Sequence, residues 1–278
     1  MIAAAVNVSR DADIVLFIGG LNKNHFQDCE GGDRQSFDLP FGQDKLIDAL
    51  QKANKNTAVV LLSGNAVSMP WINKVAAVIQ GWYLGSEAGS ALADVISGEV
   101  NPSGKLPFSF PKKLEDNAAH SFGKLSYPGD SINQYYKEDI LVGYRWFDTK
   151  KIQPQFAFGY GLSYTSFELR KLTTNKTTYE KDDVIHIKFT IKNTGLRSGA
   201  KVAQVYVSDP VCSVVRPVKE LKAFEKVFLQ PGETKMVENV EVANLAFYDE
   251  GRKDWNIEAG DFVLQLGNSS DNPEPKPK

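Results

Sequence analysis

At 278 residues the chain has the length of roughly two domains, and its 42% hydrophobic and 24% charged content is ordinary for a folded globular protein. A net charge of −2 offers no bulk attraction to nucleic acid or to an anionic membrane surface. No run of about 18 apolar residues is present to cross a bilayer. His25, His120, His186, Cys29 and Cys212 make no metal-ligand spacing, so neither a metal nor a cofactor is expected. The two cysteines are far apart and are expected as free thiols. Met1–Val6 is too short, and lacks the basic start, for a signal peptide.

Residues 1–125 alternate strand and helix signals. Asp13–Gly20 is a continuous apolar run ending in two glycines, as suits a strand buried on both faces of a parallel sheet. From Gln43, Leu46, Ile47, Ala49, Leu50 and Ala53 recur at helical spacing. Ala58–Gly64 predicts a second buried strand and Ala76–Gly81 a shorter third. Ala88, Ala91, Leu92, Val95 and Ile96 form one face of an amphipathic helix, with Gly98 as its stop. This order predicts an open α/β sheet.

Between the first strand and the first of these helices lies Cys29-Glu30-Gly31-Gly32-Asp33-Arg34. The glycines allow the backbone to bend, and Arg34 could hold Asp33 in a charge-assisted pair. Glu30 would then be free, as a general acid/base must be. The alternative is a solvated turn carrying a surface ion pair. The position of the loop, beyond the carboxyl end of a parallel strand, is where sites of such sheets lie.

Residues 126–166 form a connector dense in aromatics: Tyr135, Tyr136, Tyr144, Trp146, Phe147, Phe156, Phe158, Tyr160 and Tyr164. They would either stack on sugar or pack a linker against its neighbours. From 167 to 268 the period changes to two. In Val184–Ile191, His186 and Lys188 share one face, and Ile185, Ile187, Phe189 and Ile191 the other. Asn193-Thr194-Gly195 and Pro231–Thr234 read as turns, with strands at Val202–Val207, on both sides of the second turn, and at Asp261–Gly267. A β-sandwich of immunoglobulin-like or fibronectin-like type is expected, with His186 as plain surface. Residues 269–278 are polar and proline-rich and are expected to be a disordered tail. Sequons occur at Asn7, Asn175 and Asn268 and bear on the chain only in a eukaryotic secretory context.

Four segments together resemble the C-terminal part of glycoside hydrolase family 3, of the β-glucosidase type. They are Glu30-Gly31-Gly32-Asp33-Arg34, the block from Gly85-Ser86-Glu87-Ala88-Gly89 to Asn101-Pro102-Ser103-Gly104-Lys105-Leu106-Pro107, Gly143-Tyr144-Arg145 followed by Phe158–Thr165, and Arg216-Pro217 with Lys219-Glu220-Leu221 and Phe224. The resemblance implies a fold of α/β plus all-β class: a partial open α/β sandwich domain over 1–125, then a fibronectin type III-like domain over 167–268. It implies a retaining, exo-acting β-glycosidase in which Glu30 is the acid/base and Asp33 and Arg34 support it. The nucleophile of that family is an aspartate on a (β/α)8-type barrel, and no segment here resembles it. The barrel and the opening of the α/β domain would be supplied by an N-terminal part or by a separate chain, leaving an exposed apolar surface on residues 1–125. A β-linked oligosaccharide or glucoside is the substrate implied, and a secreted or periplasmic location is the family habit. The alternatives are a non-catalytic carbohydrate-binding or scaffolding module, or part of a β-xylosidase. One departure is Glu138-Asp139, where the family has Glu-Gly, and a local turn change is expected there.

Overall fold

The computed structural model describes residues 2–23, 27–29, 31–32, 34–181, 183–242 and 245–271. The chain forms two compact units, Met1–Ile96 with Pro111–Leu114, and Ser97–Phe110 with Glu115–Lys278.

The first unit contains α1 (Ile2–Ser9), β1 (Val15–Gly20), α2 (Gln43–Ala53), β2 (Thr57–Leu62), β3 (Ala77–Gln80) and α3 (Ala88–Ser97). The expected open α/β sheet is present, with strand order β1-β2-β3 and both pairings parallel. Helix α2 packs on β1 and β2, where Ile47, Leu50, Phe17, Val59 and Leu61 are all buried. Their separation from water is the main stabilisation of this layer. Helix α1 was not legible as an element. Asn54, just past α2, fastens its end by donating to the carbonyls of Ser9 and Ala12 at 2.9 and 2.6 Å. Strand β1 is not buried on both faces as its apolar run predicts: Ile14, Leu16 and Ile18 are 64%, 44% and 57% exposed, an uncovered apolar surface of the kind expected for this part of the chain.

The second unit contains α4 (Ala118–Ser121), α5 (Tyr144–Lys150), β4 (Phe167–Thr174), β5 (Ile185–Asn193), β6 (Gly199–Ser208), β7 (Glu220–Leu229), β8 (Thr234–Val242), β9 (Phe247–Asp249), β10 (Asp254–Asn256) and β11 (Val263–Gly267). Two antiparallel sheets, ordered β4-β5-β8 and β11-β6-β7, enclose the core. Strand β5 follows its sequence pattern: Ile185, Ile187, Phe189 and Ile191 are buried and Lys188 is exposed. They join Val205, Val207, Val227, Leu229 and Leu266 of the facing sheet. Strand β4 was missed because it bulges between Arg170 and Thr173, with Lys171 at φ 58, which breaks the alternation. Strands β9 and β10 are too short to carry a period.

Contacts divide the chain differently from the boundary at 125 expected from composition. Ser97–Phe110 belongs with the sandwich because its polar side chains are fastened there. Asn101 donates to the Ser198 carbonyl at 2.9 Å and accepts from Ser163 Oγ and the Tyr164 N–H, each at 2.8 Å. Lys105 donates to the Gly161 carbonyl at 2.6 Å. The connector is likewise part of this unit. Trp146 and Phe147 are buried, Tyr144 stacks on Phe158 at 4.7 Å, and Tyr144 Oη accepts the Leu221 N–H at 2.7 Å. The Lys219-Glu220-Leu221 segment therefore receives α5, with Lys219 paired to Asp148 at 3.2 Å and Glu220 to Arg145 at 3.3 Å. Arg216, nearly buried, bridges Asp209 and Glu220 at 3.1 and 2.9 Å. Most of the connector aromatics are packing residues, while Tyr135, Tyr136 and Tyr164 stand exposed.

The start of the tail is corrected. The tail does not begin at 269, since Ser269 and Ser270 are buried and the Ser270 N–H bonds to the Phe158 carbonyl at 2.9 Å; residues 272–278 lie outside the described residues. Asp139 has φ 55, the left-handed conformation that glycine adopts most easily and aspartate tolerates.

Asn193 closes β5 and is fully buried. Its amide nitrogen donates to the carbonyls of Arg197 and Leu229 at 2.7 and 3.2 Å, and its oxygen accepts from Thr165 Oγ1 and the Gly195 N–H at 2.8 and 3.1 Å. Truncation leaves the buried Leu229 carbonyl without this donor, at about 1–3 kcal/mol, and removes three further part-buried bonds of smaller cost. Urea unfolding of Asn193→Ala is expected to show a loss of at least ~2 kcal/mol, with the exposed neighbour Thr194→Ala within about 0.5 kcal/mol of the parent. Asp139→Gly is expected to raise the midpoint slightly, by up to about 1 kcal/mol.

Candidate active site

The parallel strands β1, β2 and β3 deliver three connections to one edge of the first unit, at their carboxyl ends. Strand β1 ends on Gly20, at φ 138, where a Cβ would lie 2.1 Å from the Leu62 carbonyl oxygen. No other residue fits there without moving β2. The Gln43 amide, at the start of α2, brackets Gly20 by accepting its N–H and donating to its carbonyl, each at 2.8 Å. The loop that leaves β1 and returns at α2 thus begins and ends at one pinned point.

Within the loop, Cys29 and Gly32 form an isolated antiparallel bridge, and Gly31 has φ 79. Glu30 and Asp33, the expected acid/base and its supporting carboxylate, lie outside the described residues, as do 24–26. The expected pairing of Arg34 with Asp33 therefore also lies outside them. Arg34 itself is a clamp on backbone oxygens. Its Nε donates to the Ser36 carbonyl at 2.7 Å, and Nη1 and Nη2 donate to those of Ala66 and Phe37 at 2.8 Å each. Burial pushes its pKa below the ordinary guanidinium value, against the opposing fields of Asp28, Asp38 and Tyr83.

On the other arm, Asp28 is the anchor that sequence reasoning did not assign. One carboxylate oxygen accepts the Gly64 N–H and Tyr83 Oη, both at 2.8 Å, and the other accepts Asn65 Nδ2 at 3.1 Å. A Cβ at residue 64 would come within 2.9 Å of that Asp28 oxygen, so the glycine after β2 is what lets the carboxylate approach the backbone. Burial, and then the hydrogen bond to Asp28, hold the Tyr83 phenol up at about 12.

Both latches therefore grip one short segment, Gly64–Ala66. That segment is stiffened from within. Ser63, fully buried, donates to the Asn65 carbonyl at 2.8 Å, and Gln80, at the end of β3, donates to the Ser63 carbonyl at 2.9 Å. Asp28 and Arg34, which flank Glu30 in sequence, are thus both fastened to the connection after β2. Among the described residues no group of three or more His, Cys, Asp or Glu is arranged to hold a metal ion, and Cys29 and Cys212 are free.

Comparison with known proteins places the chain in a family. Residues 1–164 match the glycosyl hydrolase family 3 C-terminal domain, and residues 201–270 match a fibronectin type III-like domain. The chain is 56% identical over 267 residues to beta-glucosidase BoGH3A of Bacteroides ovatus, covering 96% of this chain and 36% of that protein. It is 42% identical over 271 residues to thermostable beta-glucosidase B of Acetivibrio thermocellus, covering 97% of this chain and 35% of that one. The crystal structure of DesR, a beta-glucosidase from Streptomyces venezuelae in complex with D-glucose, superposes with a TM-score of 0.91 at 39% identity, over 98% of this chain and 34% of that chain. This chain thus spans about a third of the length of these relatives. It belongs to glycosyl hydrolase family 3, of which it carries the C-terminal α/β domain and the fibronectin type III-like domain that follows.

Proposed function

We propose that the chain supplies the acid/base carboxylate, Glu30, of a retaining exo-acting β-glucosidase that hydrolyses terminal non-reducing β-D-glucosyl residues. The observation that carries this reading is the Glu30 loop itself. It follows a parallel strand at the edge where α/β sheets place their sites, and Asp28 and Arg34 brace it on both sides. The relatives, beta-glucosidases at 56% and 42% identity, support the substrate class.

In this reading Glu30 acts twice. As a carboxylic acid it protonates the departing glycosidic oxygen, and as a carboxylate it takes a proton from the water that releases the sugar. The nucleophile is a carboxylate outside this chain, on a barrel domain joined to it or supplied by a separate polypeptide. A retaining reaction sets it about 5–5.5 Å from Glu30. Asp33 and Arg34 are supporting residues, with Arg34 acting through the carbonyls it holds.

In the enzyme assembled with its barrel, Glu30→Gln is expected to lower kcat/KM for poor leaving groups such as phenyl β-glucoside by about 10²–10⁴-fold. Substrates with strongly acidic leaving groups need no proton and are expected to lose little. An equal loss for every leaving group would sink the assignment. The 278 residues expressed alone are expected to leave a chromogenic aryl β-glucoside unhydrolysed, since one carboxylate of the pair is a small part of the machinery. Turnover abolished by Glu30→Gln would place a second working carboxylate within this chain.

A further inference from the structure

The fields and hydrogen bonds at the carboxyl edge of the sheet converge on Asp28. It is two residues before Glu30 in sequence, yet its partners are 36 to 55 residues away. It therefore ties the connection after β1 to those after β2 and β3. The last of these has an unusual backbone. Trp82 sits at φ 56, a left-handed conformation that a bulky aromatic residue seldom adopts. Strain of this kind persists where surrounding structure enforces it, and it collects at functional sites. Here it immediately precedes Tyr83, whose hydroxyl meets Asp28 at 2.8 Å. The Tyr83 phenol stays protonated far above neutral pH, so its hydrogen goes to the carboxylate throughout the working range.

A solvated loop would not need this. Asp28 has a backbone donor, an amide donor and a phenol donor on its two oxygens, which together fix both its position and its rotation. We propose that Asp28 is a positioning residue for the acid/base reaction, with Tyr83 and Gly64 holding it in place two residues before Glu30. This inference rests on the reading of Glu30 given above. Asp28 transfers no proton. It fixes the chain two residues before Glu30, and misplacement of a reacting group by about 1 Å can cost 10²-fold.

The test is the dependence of kcat/KM on leaving-group acidity in the assembled enzyme, measured for the parent, Asp28→Ala, Tyr83→Phe and Glu30→Gln. A positioning role predicts that Asp28→Ala loses about 10- to 100-fold on phenyl β-glucoside and less than about 3-fold on 2,4-dinitrophenyl β-glucoside. Tyr83→Phe removes one bond of three and is expected to lose a few-fold in the same selective pattern. It carries the test if Asp28→Ala does not fold. Equal losses on both substrates would make the latch merely structural and overturn the proposal. So would a parental leaving-group dependence in both variants beside a steep one in Glu30→Gln, and in that case the acid/base assignment would survive. A flat dependence in Glu30→Gln would remove the acid/base reading and the positioning role with it.

Discussion

The interaction on which the site depends is the grip of Asp28 and Arg34 on Gly64–Ala66. In the proposed role the Glu30 loop would have to be ordered for catalysis, and ordering a loop costs conformational entropy at every residue. Charge-assisted bonds to backbone groups offset that cost better than neutral ones. Asp28 supplies them before Glu30 and Arg34 supplies them after it. The receiving segment is itself fixed by Ser63 and Gln80, so the rigidity of the sheet reaches the loop through hydrogen bonds. The glycines at 20 and 64 are the permissive half of this design, because each admits an approach that a Cβ would block.

The second unit is organised by buried polar groups set into an apolar core. Asn193 and Asn101 each satisfy several backbone groups and pull loops onto the sandwich. The charged cluster of Arg216, Asp209, Glu220 and Arg145 does the same for α5. Burial opposes the ionised form of Glu220, but Lys222, Arg216 and Arg145 outweigh it and hold its pKa below the ordinary value. The unit thus treats the aromatic connector as a third layer and not as a linker.

Much of this was legible in the sequence, and the reason differs by element. Strand β2, largely buried, appears as a continuous apolar run and β5 as clean alternation, while the same kind of run at β1 covers a strand with one open face. Strand β4 was hidden by its bulge at Lys171. The Glu30 loop was legible because a local motif falls at a topologically meaningful place. Asp28, Gly64 and Tyr83 were not, because their relation is purely tertiary and no short-range pattern links residues so far apart. Arg34 was visible as a charged partner, but its actual acceptors are backbone carbonyls, which have no sequence signature.

The central claim is that Glu30 is the group that gives and takes the proton. The most direct measurement is chemical rescue of Glu30→Ala by azide in the assembled enzyme, with 2,4-dinitrophenyl β-glucoside as substrate. Azide attacks the glycosyl-enzyme without needing a base, so the account predicts accelerated turnover and a β-glucosyl azide of retained configuration. No acceleration, or a sugar azide of inverted configuration, would contradict it.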